Sequence, residues 1–190
     1  MKTSHRHGKT AFTLVELMAV ITIIVILAAL VISGMGFAFE RQAKEKAKIQ
    51  MALISKSLEE YKLDNGKYPL TPNTATGGGQ SDVLFKALYF DGSAPVVAGA
   101  TAVSDPPKIY LPELNPSTTK QGWTSGVASE KTKIKDPWGN EYRYRTAISV
   151  SGANVDTQNP DFDLWSTGKD GKTEPGSPKD PKNNDDLKSP

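Results

Sequence analysis

One acidic residue at the head of a long apolar run constrains this chain more than any other feature. Lys9-Thr10-Ala11-Phe12-Thr13-Leu14-Val15-Glu16 sets a short basic leader against a segment that, from Leu17 to Ile32, is apolar everywhere except Thr22. A run of about 20 apolar residues crosses a bilayer, and a carboxylate placed at its centre costs roughly 2.5 to 3.5 kcal/mol. Glu16 therefore requires a compensating partner. Lys2, Arg6 and Lys9 are the positive charges that keep the leading end on the cytoplasmic side, so the rest of the chain is expected to face outward. An ordinary secretory signal has an apolar region of about 7 to 15 residues followed by a small-residue cleavage site. Here the run is longer, although Ser33, Gly34 and Gly36 do follow it. A plain single-span anchor would account for the length, but not for Glu16 or for the abrupt end of the leader.

Composition narrows the chemistry. There is no Cys, and both His residues, His5 and His7, lie in the leader. Without the leader, the chain has neither imidazole nor thiol, which excludes Ser-His, Cys-His and zinc sites of the usual composition. Nothing marks a pair of carboxylates for catalysis, and no enzyme activity is expected. The formal net charge of +2 includes the three leader cations, so the remainder stands at −1, with no basic stripe to follow a phosphate backbone. Nucleic-acid binding is not expected.

Beyond the apolar run, Ala43, Ala47, Met51, Ile54, Leu58 and Tyr61 recur at spacings of 4, 4, 3, 4 and 3. That is one face of an α-helix, predicted to continue unbroken from Phe12 to Leu63. Asp64-Asn65-Gly66 should end it, with Pro69 beyond. Ser33-Gly34-Met35-Gly36 interrupts the apolar half with two glycines, each costing about 1 kcal/mol relative to Ala, and is expected to bend or loosen the helix there. Residues 70 to 130 are rich in breakers, Gly77-Gly78-Gly79 reads as a flexible linker, and one helix is predicted with Ser81-Asp82 as its cap and Val83, Leu84, Ala87 and Leu88 on one face. Strand signals follow in Glu141–Arg145, Ala147–Val150 and Phe162–Trp165. The predicted architecture is α+β: a long N-terminal helix packed against a small antiparallel sheet.

Two resemblances give this architecture a family. Ala11-Phe12-Thr13-Leu14-Val15-Glu16 resembles the signal of type IV prepilins and type II secretion pseudopilins, in which a prepilin peptidase cuts before the Phe and the new terminus is methylated. Tyr61-Lys62-Leu63-Asp64-Asn65-Gly66-Lys67-Tyr68-Pro69, Asp136-Pro137-Trp138-Gly139-Asn140-Glu141-Tyr142 and Asp163-Leu164-Trp165-Ser166-Thr167-Gly168-Lys169-Asp170-Gly171 resemble, in order, blocks of the major pseudopilins of type II secretion. The resemblance implies cleavage between Ala11 and Phe12, methylation of Phe12, and a role for Glu16 in assembly. It implies a single-pass inner-membrane protein with a periplasmic domain, self-assembling into a helical filament, with minor pseudopilins and the inner-membrane assembly platform of the secretion system as partners. The implied organisation is a leader over 1–11, a transmembrane and filament-core helix over 12–39, a globular domain over 40–171, and an acidic Pro-rich segment over 172–190. Trp138 is expected in the core.

The same resemblance implies a calcium site, with carboxylates from Asp170, Asp185 and Asp186 and backbone carbonyls from Thr167 and Asn183. Oxygen donors of this kind suit Ca²⁺. Composition alone instead favours a solvated, disordered tail. The sequence departs from the family in several places: Ala11 stands where Gly is usual, no Pro lies near Ser33, the 70 to 130 region and the Asp170-to-Asp185 stretch are long, and Leu187-Lys188-Ser189-Pro190 replaces a closing aromatic. The alternatives are a type IV pilus subunit, disfavoured by the absence of a Cys pair and by the Asp136 and Asp163 blocks, and a membrane-anchored periplasmic calcium-binding protein or enzyme.

Overall fold

The computed structural model of the chain describes residues 12–72, 80–90, 108–118, 122–124, 128–129, 131–149, 152–153, 157–177 and 179–189. The triple glycine at 77–79 and the leader, including Ala11, lie outside them. A first helix, α1, spans Leu14–Asn65, 52 residues, and the chain divides into a unit ending at Gln42 and a second beginning at Ala43.

The first unit is the apolar part of α1. Its large side chains, from Leu14 through Ile32 and on to Phe37 and Phe39, are exposed, and the helix is long and apolar enough to cross a membrane. At Ser33–Gly36 the backbone stays helical, so the expected loosening is not seen there. Two glycines cost about 2 kcal/mol together, while each flanking residue adds a hydrogen bond once the helix is nucleated.

In the second unit α1 supplies the wall on which the rest is built. Ala47, Met51, Ile54 and Leu58 of the predicted stripe are buried and Tyr61 is half-buried, but two polar residues, Gln50 and Ser57, are buried beside them. The helix ends as its sequence dictates: Gly66 takes a φ of +73°, open to glycine without penalty, and its N–H reaches Lys62 O at 2.8 Å. The second helix, α2, spans Ser81–Leu88 and buries Leu84, Phe85, Ala87 and Leu88. Ser81 is not its cap. Its hydroxyl instead donates to Glu141 Oε1 at 2.9 Å and accepts the Ile134 N–H at 3.1 Å, tying α2 to the chain ahead of the sheet.

Three antiparallel strands form the sheet: β1 (Arg143–Thr146), β4 (Phe162–Ser166) and β5 (Leu187–Lys188), in the order β1-β4-β5. Between β1 and β4 in sequence, β2 (Ile148–Ser149) and β3 (Gly152–Ala153) pair with each other. Tyr144 lies opposite Leu164, and Trp165 opposite both Arg143 and Lys188. Tyr142 and Tyr144, the aromatic members of the predicted alternation, are fully buried against Met51, Ile54, Leu58, Leu84 and Phe85. Each such apolar side chain removed from water contributes about 1.5 to 3 kcal/mol. Trp138 corrects the expectation placed on it: it is only half-buried, and the core tryptophans are Trp123 and Trp165. The turn bearing Trp138 directs Asp136 inward instead.

The acidic C-terminal segment is also folded. β5 belongs to it, Ser189 N–H donates to Leu164 O at 2.8 Å, and Ser189 Oγ lies 2.9 Å from Ser55 Oγ of α1.

Candidate functional site

Two places carry polar groups that core packing does not explain. The first is the start of α1. Thr13 precedes the helix and Glu16 stands three residues on, the spacing of a capping box. Thr13 Oγ accepts the Glu16 N–H at 3.2 Å, while Glu16 Oε2 accepts both the Thr13 N–H at 2.9 Å and the Thr13 hydroxyl at 2.8 Å. Two N–H groups that a helix start leaves open are thereby satisfied, and one oxygen of the carboxylate is matched within its own chain. Phe12 stands just before, 83% exposed. Thr13 is the residue that sequence reasoning passed over, although Thr-x-x-Glu ahead of an apolar run was legible as a helix start.

The second place is the loop between β4 and β5. Thr167 is fully buried and its hydroxyl has no hydrogen-bond partner. Asp170 donates its N–H to Asp185 Oδ2 at 3.0 Å and accepts the Lys172 N–H through its own Oδ1 at 2.8 Å. Gly168, at a φ of +62°, lies so close to Asp185 that a Cβ would come within 2.6 Å of Asp185 Oδ2. Asp186 Oδ2 accepts the Thr173 hydroxyl at 2.8 Å, while its Oδ1 is buried with no partner. Burial raises the Asp186 carboxyl above its ordinary value, the Thr173 hydroxyl opposes this, and the charges of Asp185 and Asp170 add to the rise.

Asn183 folds the long stretch between these residues. Its Oδ1 accepts the Glu174 N–H at 2.7 Å, and its Nδ2 donates to Glu174 O at 3.0 Å and Ser177 O at 2.9 Å. Its backbone carbonyl accepts the Asp186 N–H at 3.3 Å. The five predicted ligands thus fall in one loop system. Among the described residues, however, no three acidic side chains converge as a ready-made metal cluster. The carboxylates of Asp185 and Asp186 are adjacent in sequence, and the Asp170 carboxylate is turned to its own loop.

The turn ahead of β1 meets this loop. Asp136, 3% exposed, accepts the N–H groups of Trp138 at 3.0 Å and Asn140 at 2.8 Å through Oδ1, and the Ser166 hydroxyl at 2.6 Å through Oδ2. Burial pushes its carboxyl above the ordinary value despite these donors. Asn140 Nδ2 donates to Gly168 O at 2.7 Å.

Comparison with known proteins bears on both places. The family model for type II secretion system (T2SS), protein G matches residues 111–184, and that for the prokaryotic N-terminal methylation motif matches residues 6–35. The type II secretion system core protein G of Pseudomonas aeruginosa is 31% identical over 92% of this chain and 93% of its own length. This chain belongs to the type II secretion core protein G family. The corresponding proteins of Escherichia coli strain K12 and Vibrio cholerae are each 29% identical, over 85% and 72% of this chain and 82% and 70% of their own. As a pseudopilin, the chain carries its methylation motif across Phe12, Thr13 and Glu16. The protein G match takes in the Asp136 turn and the loop from Thr167 to Asn183, and stops one residue before Asp185. An exposed apolar helix in a pseudopilin is suited to membrane anchoring.

Proposed function

We propose that this pseudopilin is a structural subunit, made as a membrane-anchored precursor, cut between Ala11 and Phe12 by a prepilin peptidase, methylated at Phe12, and assembled into a periplasmic filament that drives protein export. The observation that carries this reading is Glu16, a carboxylate at the head of an exposed apolar helix, sharing one oxygen with Thr13. Thr13 offsets part of the cost of placing that charge in lipid. The remainder is met in the filament by the positive amino terminus of Phe12 on a neighbouring copy, an attraction strengthened where water is excluded. The exposed apolar face of α1 becomes the filament core, the globular unit remains outside the membrane, and minor pseudopilins and an inner-membrane platform act on the subunit during assembly. Mass spectrometry of the membrane-extracted protein, from a host with an active prepilin peptidase, tests it. A methylated Phe12 terminus is expected; an intact Met1, or a terminus after Gly36, overturns the reading.

We also propose that the loop after β4 takes a calcium ion. The fit rests on the orphaned, buried Asp186 Oδ1 beside Asp185, and on an all-oxygen donor set. Asp185 and Asp186 would hold the ion with the carbonyls of Thr167 and Asn183, and Asp170 would join by turning its carboxylate. Calcium would supply the positive charge that offsets the repulsion among these carboxylates and fasten the loop to the sheet.

A further inference from the structure

We propose that Asp136 and Asn140 are positioning residues for the acidic loop, so that the turn Asp136-Pro137-Trp138-Gly139-Asn140 is the outer frame of the divalent-cation site; this rests on the calcium reading above. The frame grips the loop at three points. Asp136 Oδ2 holds the Ser166 hydroxyl at 2.6 Å, and Ser166 Oγ in turn accepts the Gly168 N–H at 3.1 Å. Asn140 Nδ2 holds the Gly168 carbonyl at 2.7 Å. Gly171, at a φ of +69°, packs on the same amide, where a Cβ would lie 2.9 Å from Asn140 Oδ1. Residues 166, 168 and 171 bracket Thr167 and Asp170, two of the expected donors.

From the other side Asp185 closes on Gly168 and takes the Asp170 N–H at 3.0 Å. The loop is therefore clamped between a turn 28 to 30 residues away in sequence and the acidic pair itself. An exposed Asp would serve as well merely to turn the chain. Asp136 is instead buried to 3% exposure, and its second oxygen is spent wholly on the loop. Groups that orient a metal's ligands without touching the metal set its affinity, and their loss weakens binding about 10- to 100-fold.

The test is calorimetric titration of calcium chloride into the full chain in detergent, at a temperature where circular dichroism shows every variant folded. Asn140→Ala is expected to bind calcium at least about tenfold more weakly than the unmodified chain. Leu84→Val, which thins the core under α2, is expected to lose thermal stability while keeping the original dissociation constant. If Asn140→Ala does not fold, Gly171→Ala, which drives a methyl group into the Asn140 amide, carries the same expectation. An unchanged dissociation constant in Asn140→Ala, or equal weakening in Leu84→Val, overturns the positioning role and leaves the calcium reading standing. Absence of binding by the unmodified chain overturns both.

Discussion

Tyr142 donates its hydroxyl to Gln50 Oε1 at 2.7 Å, both residues being all but excluded from water. This bond joins the segment leading into β1 to the face of α1 that carries the predicted apolar stripe. Burial pushes the Tyr142 hydroxyl far above its ordinary value, so it remains a donor across the physiological range. Tyr142→Phe should leave the Gln50 oxygen buried without this donor, at about 1 to 3 kcal/mol, whereas Tyr142→Phe combined with Gln50→Leu should recover much of the loss because both polar partners are gone. Thermal melting of the two variants checks this. A Tyr142→Phe chain that melts with the unmodified protein contradicts it.

Glu16→Leu should leave cleavage and membrane insertion intact and abolish filament assembly, since the apolar replacement inserts at no cost but attracts no amino terminus. Thr13→Val should weaken the helix start by about 1 kcal/mol and leave the carboxylate without its hydroxyl partner, so less subunit should accumulate in filaments. Shearing assays with immunoblotting measure both. Normal secretion by Glu16→Leu would remove Glu16 from the mechanism.

At the end of α1, Asp64 Oδ2 accepts from Lys108 Nζ at 2.6 Å and from the Tyr110 hydroxyl at 3.1 Å. These donors hold its carboxyl below the ordinary 3.8, the lysine contributing most. A carboxylate lowered on folding stabilises fully above its unfolded value, and that contribution fades as pH falls through the folded one. Asp64→Asn should therefore melt slightly lower than the unmodified chain at neutral pH and show a shallower loss below about pH 4. The difference should be small and shrink in added salt, because both partners are exposed. An identical acid profile in the variant would discount the pair.

Calcium in millimolar excess should raise the melting temperature over chelator. An ion that binds only the folded chain adds about 2.7 kcal/mol at one hundred times its dissociation constant. Magnesium should substitute poorly because it demands a tighter octahedron. Asp185→Ala should erase the difference. No calcium effect on the unmodified chain would leave the acidic loop as a purely protein-held structure.

Periodicity made α1 legible because its buried positions obey helical spacing, and Asn65-Gly66 marked its end because few residues besides glycine take a φ of +73°. Strand β1 was visible in the alternation around Tyr142 and Tyr144. What escaped was long-range and polar. Gln50, Ser57 and Ser81 look like surface residues in the sequence, yet each is buried by a hydrogen bond to a partner between 53 and 92 residues away. Trp138 looked like core, and the turn's geometry spent its inward position on Asp136. For the acidic loop, the expected donors were nameable from resemblance, but not Thr173 or Asn140. A threonine that links Trp165 to Asp186, and an asparagine that holds Gly168, carry no local signature.

Ser55 and Ser189 meet across 134 residues of chain, and β5 joins the sheet beside a strand that precedes it by some twenty positions. The body therefore cannot close until nearly all of the chain is available to it. Contacts of such separation form slowly, while α1 is local and complete early. During synthesis the order of events is imposed by connectivity: the apolar helix emerges first, and the strand that completes the sheet emerges only some 120 residues after α1 has ended.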